Sequence, residues 1–403
     1  MTRVAEVVIV GAGMAGIAAA YELAVRAGVG RVVLVDSREP LSLTSSQGAE
    51  AYRNYWPGPD DTMARFMDRS IDLLDALDFE SGHAFEMNRR GYVFLTADPA
   101  EAARLRRTAS PTALFVEGER AIRARYPFVT DRAIAMLHVQ RAGFMDAKKL
   151  GRWLLARACQ HGVELVRDEA TGVVVDNQRL VGVRLASGAP IDAGAFVLAA
   201  GPLLSEWTAR LALAVPIANE LHSKMSFDDD RGVVPRDSPM MIWNDPVALE
   251  GRGTMPAGVH LRPRGARSLL GIWTYDPRIE APAFPPRFAR DYAQTVFHGL
   301  SAMIPALRGY LKRADEAIVD GGYYCKTPDN RPVIGPTRIT GAYVLGALSG
   351  FGVMASQAAA DLLAAHLLGR PLPGYAAAFH PSRFDDPSYR QTLTALDPKS
   401  GEL

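Results

Sequence analysis

Residues 7–36 read VVIVGAGMAGIAAAYELAVRAGVGRVVLVD: an apolar strand, a glycine-rich turn, a helix, a second apolar strand and then an acid. A pyrophosphate-bridged dinucleotide needs that order. In the turn Gly11–Ala12–Gly13–Met14–Ala15–Gly16, Gly11 lets the chain leave the strand sharply. Gly13 removes the side chain where backbone must approach the pyrophosphate, and Gly16 allows the helix to pack closely on the sheet. The helix N-terminus points unpaired N–H groups at the phosphates. Asp36 falls 20 residues after Gly16, at the end of the second strand, where a carboxylate can accept ribose hydroxyls. An ordinary βαβ turn has no need of three spaced glycines and an acid.

With 403 residues the chain is long enough for two domains, or for one large domain with an insertion. Its 48% apolar and 22% charged content is that of a soluble globular protein. The net charge of +1 implies no general attraction to nucleic acid or to an acidic membrane surface. Cys159 and Cys325 permit one disulfide, but a reducing cytoplasm is the simpler expectation. The basic start and apolar run resemble a signal peptide superficially. That run carries the dinucleotide turn, and no apolar stretch reaches membrane-spanning length, so neither a leader nor a membrane span is expected.

Farther along, Met67, Ile71, Leu74 and Leu77 have helical spacing within 63–77, and 147–160 forms a second amphipathic pattern. GYVFLT at 91–96 and the segment 162–166 read as strands, as do 173–175, 180–185 and 195–200. From about 215 to 313 the texture becomes short β runs broken by Pro and Gly, with one helix around 288–303. Strand, turn and long helix return over 321–369. The predicted fold class is α/β, a discontinuous Rossmann-type domain (1–84, 145–214 and 314–403) with an inserted mixed or antiparallel sheet for substrate (85–144 and 215–313).

Two further blocks bear on chemistry. VLAAGPLLSEW at 197–207 runs a strand into small residues, either a cofactor contact or a plain strand-to-helix turn. GGYYCKTPDNRPVIG at 321–335 precedes AYVLGALSGFGVM at 342–354, where Ser349, Gly350 and Gly352 make a sharp turn feeding a helix. That helix start offers N–H donors and a positive dipole end, worth about 0.3–2 kcal/mol to a developing negative charge. A structural glycine-rich turn is the alternative.

Together GAGMAG, TSSQG at 44–48, AAGP, KTPDNRPVIGP and SGFG resemble the glycine-oxidase, sarcosine-oxidase and D-amino-acid-oxidase family of FAD enzymes across nearly the whole chain. The stretch 51–91 looks most like the sarcosine oxidase beta-subunit branch. The resemblance implies FAD, with Gly11, Gly13, Gly16 and Asp36 holding the ADP half and Ser37 and Arg38 beside the adenosine. It places Ser45, Ser46, Gln47 and Gly48 beside the pyrophosphate and ring, and Ala170 against adenine. Ala200 and Gly201 line the cofactor, and Gly350, Phe351, Gly352, Val353 and Met354 lie at the pyrimidine edge.

Departures from the family pattern shape the expected mechanism. Gly322 stands where monomeric sarcosine oxidases carry the cysteine that tethers flavin. FAD is therefore expected to be non-covalent, with Cys325 a structural thiol. Met145 stands where beta-subunit relatives attach FMN to a histidine, so FMN is not expected. Arg53 aligns with the arginine that grips the substrate carboxylate, its fork matching two oxygens. The alternative is a surface ion pair with Asp60 or Asp61. Met354 and Phe351 replace a family lysine and histidine, and SLLGIW at 268–273 leaves no match for the oxygen-activating lysine. Tyr324 corresponds to an active-site tyrosine. Along 269–275, Trp273 and Tyr275 share a face with Gly271, giving either an aromatic lining for an alkylammonium or sheet core. His222, Lys224, His260 and Lys326 read as solvent-facing or structural. No metal-ligand spacing appears.

The expected activity is oxidation of the C–N bond of an amino acid or secondary amine to an imine, with the amine neutral when hydride leaves. A flavin dehydrogenase of a 2-hydroxy acid and a partner-dependent or non-catalytic flavoprotein subunit are the rivals. Substrate identity, electron acceptor and oligomeric state are left open by the sequence.

Overall fold

The expected opening unit forms as a strand Arg3–Val10, a helix Met14–Tyr21 continued by a π turn to Arg26, and a strand Val32–Val35. The two strands pair in parallel with Val7 opposite Val32. The structure, a computed structural model, describes residues 3–58, 60–188 and 190–393, so residues 394–403 of the expected nucleotide segments lie outside the described residues. Parallel neighbours Glu164–Val166, Ile191–Leu198 and Ala342–Gly346 extend this sheet, with Val333–Pro336 antiparallel at one edge. A hairpin, Ala170–Asp176 and Arg179–Leu185, branches from it.

Four helices seal one face of the sheet. Met14–Tyr21, Thr62–Glu80, Ala147–Gln160 and Gly352–Leu367 join one core with Ile9, Leu34, Val197 and Leu345. The 63–77 spacing became Thr62–Glu80, burying Phe66, Met67, Ile71, Leu74 and Leu77. The 147–160 pattern formed over Ala147–Gln160, where the Asp146 side chain accepts the Lys149 N–H at 2.8 Å and caps the helix. Phe196, Leu204, Trp207 and Phe384 pack on the other face.

A second sheet, of nine strands among the described residues, is mixed. Met240–Trp243 pairs in parallel with Tyr92–Thr96 and antiparallel with Val259–Arg264. The helix Tyr292–Met303 covers one face through Val296, Phe297 and Leu300 against Met225, Leu269 and Trp273. The other face looks toward the nucleotide sheet. Ile318–Lys326 pairs along its whole length with Ala218–Asp228, so it belongs to this second sheet although the sequence grouped it with the nucleotide segments. The strand expected over 269–275 ends at Ile272, because the Trp273 N–H leaves the ladder for the Tyr292 hydroxyl at 3.1 Å.

The turn after Ile318–Lys326 is clamped from the far end of the chain. Arg383 donates to both Asp329 oxygens, from Nε at 2.8 Å and Nη2 at 3.2 Å, and Tyr389 donates to Oδ2 at 2.6 Å. Burial pushes the Asp329 carboxyl up, but Arg383 and the hydroxyls of Thr327 and Tyr389 bring it below the usual carboxylate range.

Candidate active site

A cleft at the strand ends of the nucleotide sheet has two adjoining arms that share wall residues, and the second arm is also lined by the second sheet. The first arm runs past Asp36, Ser37, Arg38, Ala170 and Ala200, the second past Arg53, Tyr324 and Gly350–Met354. Gly13, Thr44, Ser45, Ala199, Gly201 and Pro202 line both and join them.

The first arm is built by the opening turn. Gly11 has φ +107°, and a Cβ there would stand 2.4 Å from the Ala199 carbonyl oxygen, so only glycine brings the two strand ends together. Asp36 braces the same turn: Oδ2 accepts the Ala12 N–H at 2.8 Å and Oδ1 the Arg38 N–H at 2.9 Å. Ser45 Oγ accepts the Met14 N–H at 2.9 Å, at the start of the first helix. Ala12 and Gly16 support the turn from behind: Ala12 is fully buried, and a Cβ on Gly16 would be 1.9 Å from the Gly11 carbonyl. Met14, Ala15 and Gly48 line the second arm. Ser46 and Gln47, expected beside the cofactor, line neither arm: Ser46 donates to the Leu43 carbonyl at 3.2 Å, and Gln47 accepts from Lys224 Nζ at 3.4 Å.

The second arm centres on the turn Ser349–Gly352, which starts the helix Gly352–Leu367. A Cβ on Gly350 would be 2.5 Å from Tyr324 Cε2, so the bare backbone is what lets the tyrosine ring lie against the helix start. Phe351 and Met354 are buried and line the arm, and Phe351 meets the Trp56 ring edge-on at 5.1 Å.

Arg53 is only 5% exposed, which removes the surface ion-pair alternative. Its Nε donates to the Tyr55 carbonyl at 3.1 Å, and its guanidinium lies over the rings of Trp56 (4.7 Å) and Tyr92 (5.7 Å). Asp60 pairs with Arg331 at 2.7 Å. Beside Arg53 sits His260. Its burial holds the imidazole down to about 4, against the pull of the Gly258 carbonyl at Nδ1 and with help from the Arg53 charge.

Four residues read as solvent-facing or structural are buried: His222, Lys224, His260 and Lys326. Each has a partner that the fold supplies. Glu220 Oε1 is 2.6 Å from His222 Nε2, and Lys326 Nζ is 3.4 Å from both Glu220 oxygens. Lys224 pairs with Asp320 across the strands, and burial draws its ammonium pKa down against that carboxylate. The strand sequence carried a signal for this group, since Glu220, His222 and Lys224 alternate on one face. A further pair was missed: Arg262 Nη2 donates to Glu50 Oε2 at 2.7 Å, with both side chains buried and Glu50 lining the cleft.

The aromatic lining is corrected. Trp273 and Tyr275 share a face, but that face belongs to the core under Tyr292–Met303: Trp273 Nε1 donates to the Pro256 carbonyl at 3.0 Å, and Tyr275 stacks on Tyr292 at 5.8 Å. Ile272 and Thr274, the alternate residues, line the cleft instead. Cys325 also lines it, and burial pushes its thiol up to about 12. No group of three or more metal-ligating side chains occurs among the described residues, and no described helix is long and apolar enough to cross a membrane.

A two-armed cleft at the strand ends of a parallel sheet, with a glycine-rich helix start in each arm, is the arrangement that dinucleotide-binding proteins use. The donor set fits FAD, since both helix starts and the joined arms supply what its diphosphate and ring require. The chain belongs to the family described as FAD dependent oxidoreductase, whose model matches residues 6–366. It is 27% identical over 393 residues to sarcosine oxidase subunit beta of Rhizobium meliloti (strain 1021), covering 94% of this chain and 88% of that one. Over 150 residues it is 31% identical to the tRNA 5-methylaminomethyl-2-thiouridine biosynthesis bifunctional protein of Paracidovorax citrulli (strain AAC00-1), a match to 34% of this chain and only 22% of that protein. The fold superposes on L-proline dehydrogenase from P. horikoshii with a TM-score of 0.79 at 23% identity, covering 96% of this chain and 99% of the other.

Proposed function

We propose that this FAD-dependent oxidoreductase oxidises the C–N bond of an amino acid or secondary amine to an imine, which water then hydrolyses. The observation that carries the reading is Arg53, a buried guanidinium opening into the arm that also holds the Gly350 helix start. A planar guanidinium fork matches a carboxylate through two parallel hydrogen bonds, so a substrate carboxylate is the anion that suits it. The neighbouring His260, held neutral at ordinary pH, adds no second charge, and Met354 and Phe351 give the pocket apolar walls. A substrate with a single carboxylate and an alkylated or cyclic nitrogen fits that balance. The beta-subunit and proline dehydrogenase relatives named above support an amine over a hydroxy acid.

FAD supplies the two-electron acceptor. The turn Gly11–Gly16, Asp36, Ser37, Arg38 and Ala170 would hold its ADP end. Gly201 and the N–H groups of Gly350–Met354 would meet the ring end, where the helix dipole favours negative charge. Tyr324 orients the substrate nitrogen, while Phe351 and Ile272 exclude water. Binding is non-covalent in this reading: Gly322 has no side chain to tether, and the Cys325 thiol is too basic to attack.

The test is anaerobic titration of the FAD-loaded protein with sarcosine, L-proline and matched 2-hydroxy acids, following loss of the yellow flavin band. Bleaching by an amine supports the reading. Bleaching by hydroxy acids alone replaces it with the dehydrogenase alternative.

A further inference from the structure

Two histidines open into the substrate arm, and their surroundings separate them. His260 has a backbone carbonyl at Nδ1, lies beside the Arg53 charge and is held neutral down to about 4, so it is a poor proton acceptor. His222 has an acid behind it. Glu220 Oε1 lies 2.6 Å from its Nε2, and an ionised carboxylate only accepts, so Nε2 carries the hydrogen. The lone pair is then on Nδ1, which lies 3.3 Å from the hydroxyl of Thr274, a residue that itself lines the cleft. Burial pushes the Glu220 carboxyl up, yet the His222 hydrogen bond and the Lys326 charge bring it below the usual range, so it stays ionised. Tyr324 stacks on the imidazole at 3.8 Å with planes 18° apart, fixing the ring from the cleft side.

The charged and titratable groups around His222 are few and come from each packed element. Glu220 and Lys224 flank it on its own strand. Tyr324, Lys326 and Asp320 face it from Ile318–Lys326, with Asp320 engaged by Lys224. His260 lines the same arm from Val259–Arg264, two strands along the sheet, and Arg53 and Glu50 line it too, the last paired with Arg262.

We propose that His222 accepts the proton of the substrate's ammonium group, with Glu220 and Lys326 as positioning residues and the Thr274 hydroxyl as the carrier. This rests on the amine-oxidising reading above. In the step, a substrate N–H bond breaks and the nitrogen keeps the electron pair. Thr274 Oγ1 takes that proton while passing its own to Nδ1. The imidazolium that results is balanced by Glu220, and the substrate nitrogen is left neutral, the form from which hydride can depart. The arrangement is that of a carboxylate-held histidine acting as general base.

The full-length FAD-loaded protein tests this by anaerobic stopped-flow flavin reduction with sarcosine and L-proline across pH. At neutral pH His222→Asn should lower the second-order reduction rate by about 10²–10⁴-fold. Its rate should then climb about tenfold per pH unit with the free-amine fraction, closing to within about tenfold of wild type near pH 10. Thr274→Val should show the same pH-dependent loss in milder form. Histidine ¹⁵N NMR of the wild-type holoprotein supplies a readout independent of turnover and of variant folding: His222 should be the Nε2–H tautomer, and lose that preference in Glu220→Gln. An unchanged profile in His222→Asn, a loss of equal size at every pH, or an Nδ1–H tautomer in wild type overturns the inference while leaving amine oxidation standing. Wild-type protein bleached only by hydroxy acids overturns both.

Discussion

Replacing Arg53 separates a carboxylate anchor from a structural cation. Its Nε is committed to the Tyr55 carbonyl and its plane is held by Trp56 and Tyr92, so the orientation of the fork is set before substrate arrives. Removing one member of a buried charge pair costs about 3–5 kcal/mol. Arg53→Met should therefore lower the second-order rate of flavin reduction by a carboxylated amine between about 10²- and 10⁴-fold, at about 1.4 kcal/mol per tenfold. Arg53→Lys keeps the charge but loses the fork, and one charge-assisted hydrogen bond of about 1.5–3 kcal/mol predicts roughly a 10–100-fold loss. The control is a secondary amine lacking a carboxylate: it has no anion for Arg53, so its slow reduction should change less than about threefold in either variant. The assay is anaerobic stopped-flow on protein with full flavin content. Equal losses for both amines would refute the reasoning and return Arg53 to a structural role.

Other outcomes follow from the same geometry. Gly11→Ala forces a Cβ against the Ala199 carbonyl at φ +107°, so it should cost at least about 2 kcal/mol and lower both melting temperature and FAD retained on gel filtration. Acid precipitation should release all the flavin into the supernatant from wild type and from Cys325→Ala alike; colour in the pellet that the variant loses would establish a thioether. His260 charges near about 6.5 in the unfolded chain, but only near about 4 when folded. Between those values the unfolded state binds more protons, so this contribution is complete above the upper value and disappears as pH falls toward the lower one. It amounts to something on the order of 3 kcal/mol, and the slope of melting temperature against pH in that window should flatten in His260→Asn.

The parts of the molecule written in local periodicity were legible. The opening turn, the helix Ala147–Gln160 and the start of Gly352–Leu367 are each announced by residues a few positions apart, and each formed where its spacing put it. What failed was information carried by neighbours distant in sequence. Alternation correctly put Trp273 and Tyr275 together, but both faces of that strand are buried, and period two cannot say which faces the cleft and which the helix Tyr292–Met303. Lys224 reads only as solvent-facing or structural because its partner, Asp320, stands opposite it only once the strands are in register. Arg262 is compensated by Glu50, a residue held at φ +54° more than two hundred positions earlier. Glu220 and His222 are different: they lie on one face of one strand and could have been read as a pair.

The cleft is assembled from stretches near residues 11, 45, 201 and 350, drawn from almost the full span of the polypeptide. A nascent chain therefore displays its first glycine turn long before the second helix start has been synthesised. Until then the nucleotide has only half a seat. Uptake of the yellow cofactor during translation should accordingly come late and in one event, so that colour in a truncated product reports how far synthesis had to proceed before the two sheets could close on each other.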